Sequence, residues 1–105
     1  MVTTAMSSKS VIIAELSINP IGSGTTSIRR QIDEAINAIK RIEGLKYEVN
    51  AMGTLLESER LDTILQAAKV AHEAVLGFGE KRVETILKID DRRDKPLTIA
   101  KPVSR

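Results

Sequence analysis

Two kinds of hydrophobic spacing alternate along this chain, and their order leaves few folds open. Over Val11–Ile18, Ile12, Ala14, Leu16 and Ile18 fall on one side and Val11, Ile13, Glu15 and Ser17 on the other. That is the two-residue period of a strand. Over residues 26–43 the period changes. Ile28, Ile32, Ala35, Ile36, Ile39 and Ile42 recur at the spacing of a helix buried on one face, and Gly44 stops it. Residues 45–50 alternate again, with Tyr47 and Val49 opposed to Lys46, Glu48 and Asn50. Ala51-Met52-Gly53 reads as a tight turn and residues 54–57 as the returning strand. With Ala51 and Met52 as the turn, Lys46 lies opposite Glu57, an opposite-charge pair that supports the register. A second helix is expected over residues 59–77, with Ser58 as N-cap and Glu59 and Asp62 in its acidic first turn. Its stripe is Leu61, Ile64, Leu65, Ala68, Ala71, Val75 and Leu76. Residues 82–90 form the last strand, with Val83, Thr85, Leu87 and Ile89 on one side.

The order is β-α-β-β-α-β with short connections. It predicts an α+β, ferredoxin-like domain, a four-stranded antiparallel sheet with both helices on one face. A chain of 105 residues has room for one such core. The domain is placed at residues 11–94, after a flexible leader (1–10) and before a basic tail (95–105). The leader lacks the apolar centre of a signal peptide, no run reaches the length of a membrane span, and there is no cysteine. These point to the cytoplasm. The segment Arg92–Arg105 carries a local charge of +4 within a total of +2. Tyr47 and Phe78 are the only aromatic residues, which argues against nucleic-acid binding by base stacking.

Between the first strand and first helix runs Ile18-Asn19-Pro20-Ile21-Gly22-Ser23-Gly24-Thr25-Thr26-Ser27. Two glycines free the backbone and four hydroxyls crowd the helix start. Arg29 and Arg30 oppose the helix dipole there. Such a turn can hold a small polar or anionic ligand. The alternative is an ordinary loop in which Thr25, Thr26 or Ser27 caps the helix.

The sheet face away from the helices is expected to carry Val11, Ile13, Glu15 and Ser17; Glu48 and Asn50; Gly53, Leu55 and Glu57; and Glu84, Ile86 and Lys88. Val11, Ile13, Leu55 and Ile86 make an apolar strip that suits a contact between identical subunits.

Little here specifies a reaction. His72 is the only histidine and lies within the second helical stripe, so a packed or hydrogen-bonded role outweighs a metal site. In the run Lys88–Asp94, Asp90 and Asp91 point to opposite faces, which disfavours a carboxylate pair and favours salt bridges. The glycine loop matches neither a Walker motif nor a dinucleotide fingerprint. The expected protein is not an enzyme, and no metal or cofactor is implied.

Several segments together resemble the YkoF-related thiamine-binding proteins. They are Pro20-Ile21-Gly22 with Thr26-Ser27; Tyr47-Glu48-Val49 with Met52–Glu57; Ala71-His72-Glu73-Ala74; and Arg82-Val83 with Lys88–Asp94. The resemblance covers Val11 to Asp94. It implies a ferredoxin-like subunit that pairs through its sheet, often into a tetramer. It also implies binding of thiamine or its hydroxymethylpyrimidine part without a known reaction. Lys95-Pro96-Leu97 and Lys101-Pro102-Val103 depart from the helical ending of many relatives.

Strand direction brings the end of the first strand, the glycine loop, the Asn50–Thr54 turn and the start of the last strand to one edge. Ser17, Asn19, Ser23, Thr25, Ser27, Asn50 and Thr54 supply neutral hydrogen-bonding groups there, and Glu15, Glu48 and Glu84 supply negative charge on the open face. An aminopyrimidine needs paired donors and acceptors, and a thiazolium cation favours carboxylates. Arg29 and Arg30 would suit a phosphate on the same vitamin. The competing reading is a regulatory or structural oligomer that binds another small anion or no ligand.

Overall fold

The computed structural model describes residues 11–22 and 29–94. Its elements are β1 (Ile12–Pro20), α1 (Arg29–Ile39), β2 (Lys46–Asn50), β3 (Gly53–Ser58), α2 (Leu61–Gly77) and β4 (Val83–Asp91). The strands form one sheet in the order β2-β3-β1-β4 with every neighbouring pair antiparallel. This is the expected ferredoxin-like arrangement. The leader, the basic tail and residues 23–28 lie outside the described residues, and with them the start of the first helix.

The two-residue period of β1 positions the core. Ile12, Ala14 and Leu16 point at the helices and are buried, meeting Leu56 of β3, Ala35 and Ile39 of α1, and Ile64, Ala67, Ala71 and Val75 of α2. Alanines at 67 and 71 let α2 lie directly on β1, β3 and β4, whereas the main neighbour of α1 is α2. Tyr47 and Val49 share the helix side, paired with Leu56 and Thr54, but β2 is outermost and both remain exposed.

Several boundaries differ from the sequence pattern, each for a local reason. β1 runs on to Pro20 because β4 pairs with it along its whole length, ending at Pro20 opposite Val83. α1 stops at Ile39 rather than 43. Lys40 N still donates to Ile36 O (3.0 Å), but Ile42 N donates to Ile39 O (3.0 Å), a tighter turn that still packs Ile42 on the core. Ser58 is not the cap of α2. It is held in β3 opposite Ile12, and the N-cap is Arg60, whose side chain makes no capping bond; Arg60 N donates to Ser58 Oγ at 3.2 Å. The α2 stripe is also narrower than the sequence implies. Its buried line is Ile64-Ala67-Ala71-Val75, and Leu61, Leu65 and Leu76 are left exposed.

The hairpin follows expectation. Asn50 pairs with Gly53 around Ala51–Met52, and Lys46 pairs with Glu57, Nζ to Oε2 at 3.7 Å. On the open face, Ile13 and Leu55 are diagonal neighbours, while Ile86 lies opposite Ser17 on the other side of Glu15.

Gly53 is required by close approach. A Cβ there would stand 2.9 Å from Leu16 O and 3.4 Å from Glu15 Cγ, so the β3 backbone could not lie where it does beside β1. Gly53→Ala should lower stability by about 1–3 kcal/mol through forced backbone displacement. Urea unfolding with an unchanged midpoint would contradict this.

Candidate functional site

β1 is longer than its β3 partner. Pairing with β3 ends at Leu16–Thr54, while pairing with β4 continues to Pro20. Among the described residues, no strand covers the β3-facing edge of Ser17–Pro20. The hairpin tip and α1, which packs mainly on α2, border this gap. The result is a cavity of about 110 Å³ between α1, the end of β1 and the β2–β3 turn.

Its walls are aliphatic: Leu16 and Ile18 of β1, Ala35, Ile36 and Ile39 of α1, and Ala71 and Val75 of α2. Its polar groups are Ser17, Asn19, Gln31, Asn50 and Thr54, and no charged side chain is among the described lining residues. Thr54 is 9% exposed and stands on the helix side of the sheet, which aims it at the cavity. Asn19 Nδ2 donates to Ser17 Oγ at 3.1 Å. Gln31 is 7% exposed, and its Nε2 donates to Glu80 Oε2 at 2.7 Å. That charge-assisted bond fixes the amide and leaves Oε1 as its acceptor.

Four residues expected from sequence therefore meet at one cavity: Ser17, Asn19, Asn50 and Thr54. Glu15, Glu48 and Glu84 are on the open face and do not line it, although Glu15 Cγ packs over Gly53 at the cavity wall. Ser23, Thr25 and Ser27 lie outside the described residues. Arg29 and Arg30 are exposed and do not line the cavity; Arg30 stands over the Phe78 ring, 5.4 Å from its centroid. Gln31 and the α1 wall were not expected. The signal for Gln31 is its place four residues before Ala35, a polar residue on the buried face of a helix.

Other candidates resolve into structural roles. His72 Nδ1 lies 2.6 Å from Thr85 Oγ1 and ties α2 to β4. At the end of β4, Arg92 Nε donates to Asp94 (2.6 Å) and Arg93 Nε to Asp91 (2.5 Å). The Arg93 guanidinium holds the Asp91 carboxyl below its ordinary range. These pairs are exposed and contribute little to stability. A wider depression of about 540 Å³ at the opposite end is lined by Glu43, Lys46, Glu57, Glu59 and Arg60 among others. No group of three or more metal-ligating side chains converges among the described residues, and no described helix is long and apolar enough to cross a membrane.

The chain is similar to known proteins over most of its length. A family model described as "Thiamine-binding protein" matches residues 14–105. A UPF0045 protein of Methanothermobacter thermautotrophicus is 50% identical over 84 residues, 80% of this chain and 84% of that protein. The UPF0045 protein YqgV of Bacillus subtilis is 37% identical over 90 residues, 83% of this chain and 86% of that one. A solved structure of a hypothetical protein from Methanocaldococcus jannaschii superposes with a TM-score of 0.77 at 46% identity, covering 86% of this chain and 89% of that one. A Thermotoga maritima structure, named as a candidate thiamine biosynthesis/salvage protein, has a TM-score of 0.68 at 27% identity, covering 85% and 90%. With a family model spanning nearly all of the domain and relatives similar across the same length, the chain belongs to the thiamine-binding protein family.

Proposed function

We propose that this protein is a non-enzymatic binding protein for thiamine or its hydroxymethylpyrimidine moiety, acting in the cytoplasm as a homo-oligomer. The observation that carries the reading is the cavity itself, with aliphatic walls, neutral polar groups and no charged side chain among its described lining residues. Its volume of about 110 Å³ is of the same order as the roughly 150 Å³ apolar cavity that accepts a single benzene ring. That suits one small ring and leaves a second ring outside.

The chemistry of an aminopyrimidine matches this lining. Its flat faces gain from contact with Ile36, Ile39, Leu16 and Ile18. Its amino group and ring nitrogens need an acceptor and donors, which Gln31 Oε1 and the hydroxyl of Thr54 supply from the helix side, with Asn19 and Asn50 at the rim. The uncovered backbone of β1 beyond Leu16 adds further groups of both kinds. A neutral lining offers nothing to compensate an anion, so the competing anion reading draws no support from it. Glu15, beside the Gly53 wall, is the expected carboxylate placed to attract the cationic ring outside the cavity. Ser23, Thr25 and Ser27 remain candidate hydroxyls at its mouth. Glu48 and Glu84 are left out of this assignment, being on the open face of the two edge strands.

Calorimetric titration with thiamine, hydroxymethylpyrimidine and thiamine phosphates tests the reading. Thr54→Val removes one hydroxyl at nearly constant volume and should cost about 1–3 kcal/mol of affinity for both thiamine and the pyrimidine. Glu84→Gln should leave both affinities unchanged. Absence of binding by the wild-type protein, or an unaffected Thr54→Val variant, would refute the assignment; preference for a phosphate over the pyrimidine would favour the anion reading.

The same proposal includes association of subunits through the open sheet face, supported by the adjacent Ile13 and Leu55 and by Ile86, which is 55% exposed. Ile13→Lys would place a charge in that contact. Light scattering should show the mass of the assembly halved, with an unchanged circular dichroism spectrum. A wild-type monomer at micromolar concentration would rule out the contact.

A further inference from the structure

Glu80 is not among the residues that line the cavity, yet it holds one of the cavity's polar groups in place. It lies in the turn between α2 and β4, which is tied down on both sides. Gly79 N donates to Leu76 O at 3.1 Å, and Ile21 N donates to Arg82 O at 2.9 Å. Gly79 takes φ +106°, a conformation that glycine adopts freely and other residues rarely do. The same turn holds two adjacent residues at the start of α1. Arg30 stands over the Phe78 ring, and Gln31 Nε2 donates to Glu80 Oε2 at 2.7 Å.

Gln31 lines the cavity and is 7% exposed. Among the described residues its Oε1 accepts no hydrogen bond. No enclosed side-chain nitrogen or oxygen among them is left without a partner, so this oxygen is open, on a side chain that lines the cavity. A free amide can turn over and exchange its donor for its acceptor. A carboxylate only accepts. Facing Glu80, Gln31 must therefore give its NH₂ to the carboxylate and keep its carbonyl oxygen for the cavity. The reverse orientation sets two oxygens against each other at hydrogen-bond distance.

Given the pyrimidine site, on which this rests, we propose that Glu80 sets the selectivity of the cavity by locking Gln31 as an acceptor. The site then takes a ring that bears an exocyclic amine and rejects the same ring with a carbonyl in that position. The other polar side chains cannot make this choice. The Thr54 hydroxyl donates or accepts by rotating. Asn19 is tied to the Ser17 hydroxyl, which can itself reverse, and Asn50 is exposed at the hairpin tip. A carbonyl placed against Gln31 Oε1 would leave two oxygens desolvated and unpaired, the mismatch by which a site rejects a ligand of the same shape. Glu80 is thus a positioning residue that acts through Gln31.

Calorimetric titration with hydroxymethylpyrimidine and with its oxo analogue, which carries a carbonyl in place of the amine, tests the proposal. The wild-type protein should prefer the amine by about a hundredfold. Glu80→Gln keeps a hydrogen bond to Gln31 but lets it run in either direction, so the preference should fall about tenfold or more. Glu80→Ala frees the amide and should give the same loss. Gln31→Glu combined with Glu80→Gln exchanges the two groups, restores a fixed acceptor and should restore the preference. A merely structural role for Glu80 would weaken both ligands together and leave their ratio unmoved. An unmoved ratio in the Glu80 variants, equal wild-type affinity for the two compounds, or an exchanged pair that fails to regain the preference would overturn the proposal and leave the pyrimidine site standing. Binding of neither compound by the wild-type protein would overturn the pyrimidine site and the proposal with it.

Discussion

The pairing of β1 governs the subunit. One edge of this strand is bonded to β4 over all nine of its residues, the other to β3 over only five. Its inward residues Ile12, Ala14 and Leu16 are the floor of the core, and the alternation that buries them turns Ile13, Glu15 and Ser17 outward. Where β3 stops, the sheet has a notch. α2 sits directly on the sheet, while α1 is held mainly through α2, so the notch is bordered by α1 rather than filled. A cavity with aliphatic walls and a rim of uncharged amides and hydroxyls follows from that mismatch of strand lengths.

The same strand sets the register of β4. Continuous pairing with β1 keeps β4 regular from Val83 to Asp91 and presents one unbroken edge. Site and edge therefore lie on opposite flanks of β1. Charge is divided accordingly. The cavity has no charged side chain among its described lining residues, whereas β4 carries charges of both signs on its exposed face, Glu84, Lys88 and Asp90 among them. A neutral lining suits a neutral heterocycle.

Much of the fold was legible in the sequence because its strongest signals are local. Alternation in β1 places its two faces, and the Lys46–Glu57 pairing follows from a two-residue turn at Ala51–Met52. Ser17, Asn19, Asn50 and Thr54 could be brought together because strand direction alone sets which ends are neighbours. What was not legible depends on tertiary packing. Ser58 has the chemistry of a cap, yet pairing with Ile12 keeps it in the strand. Leu61, Leu65 and Leu76 have helical spacing, yet the narrow contact of an alanine-lined helix leaves them outside the core. Ile36 and Ile39 read as ordinary core residues, since no sequence pattern distinguishes the wall of a cavity from a filled interior.

The central claim is that the notch beside β1, on the helix side of the sheet, is where the ligand sits. Amide chemical shifts followed while hydroxymethylpyrimidine is added to the ¹⁵N-labelled protein test this most directly. The largest changes should fall at Leu16–Asn19, Gln31–Ile39 and Asn50–Thr54. Changes concentrated on the open face around Ile13, Glu15 and Lys88, or at the far end around Glu43–Lys46 and Glu57–Thr63, would contradict the account.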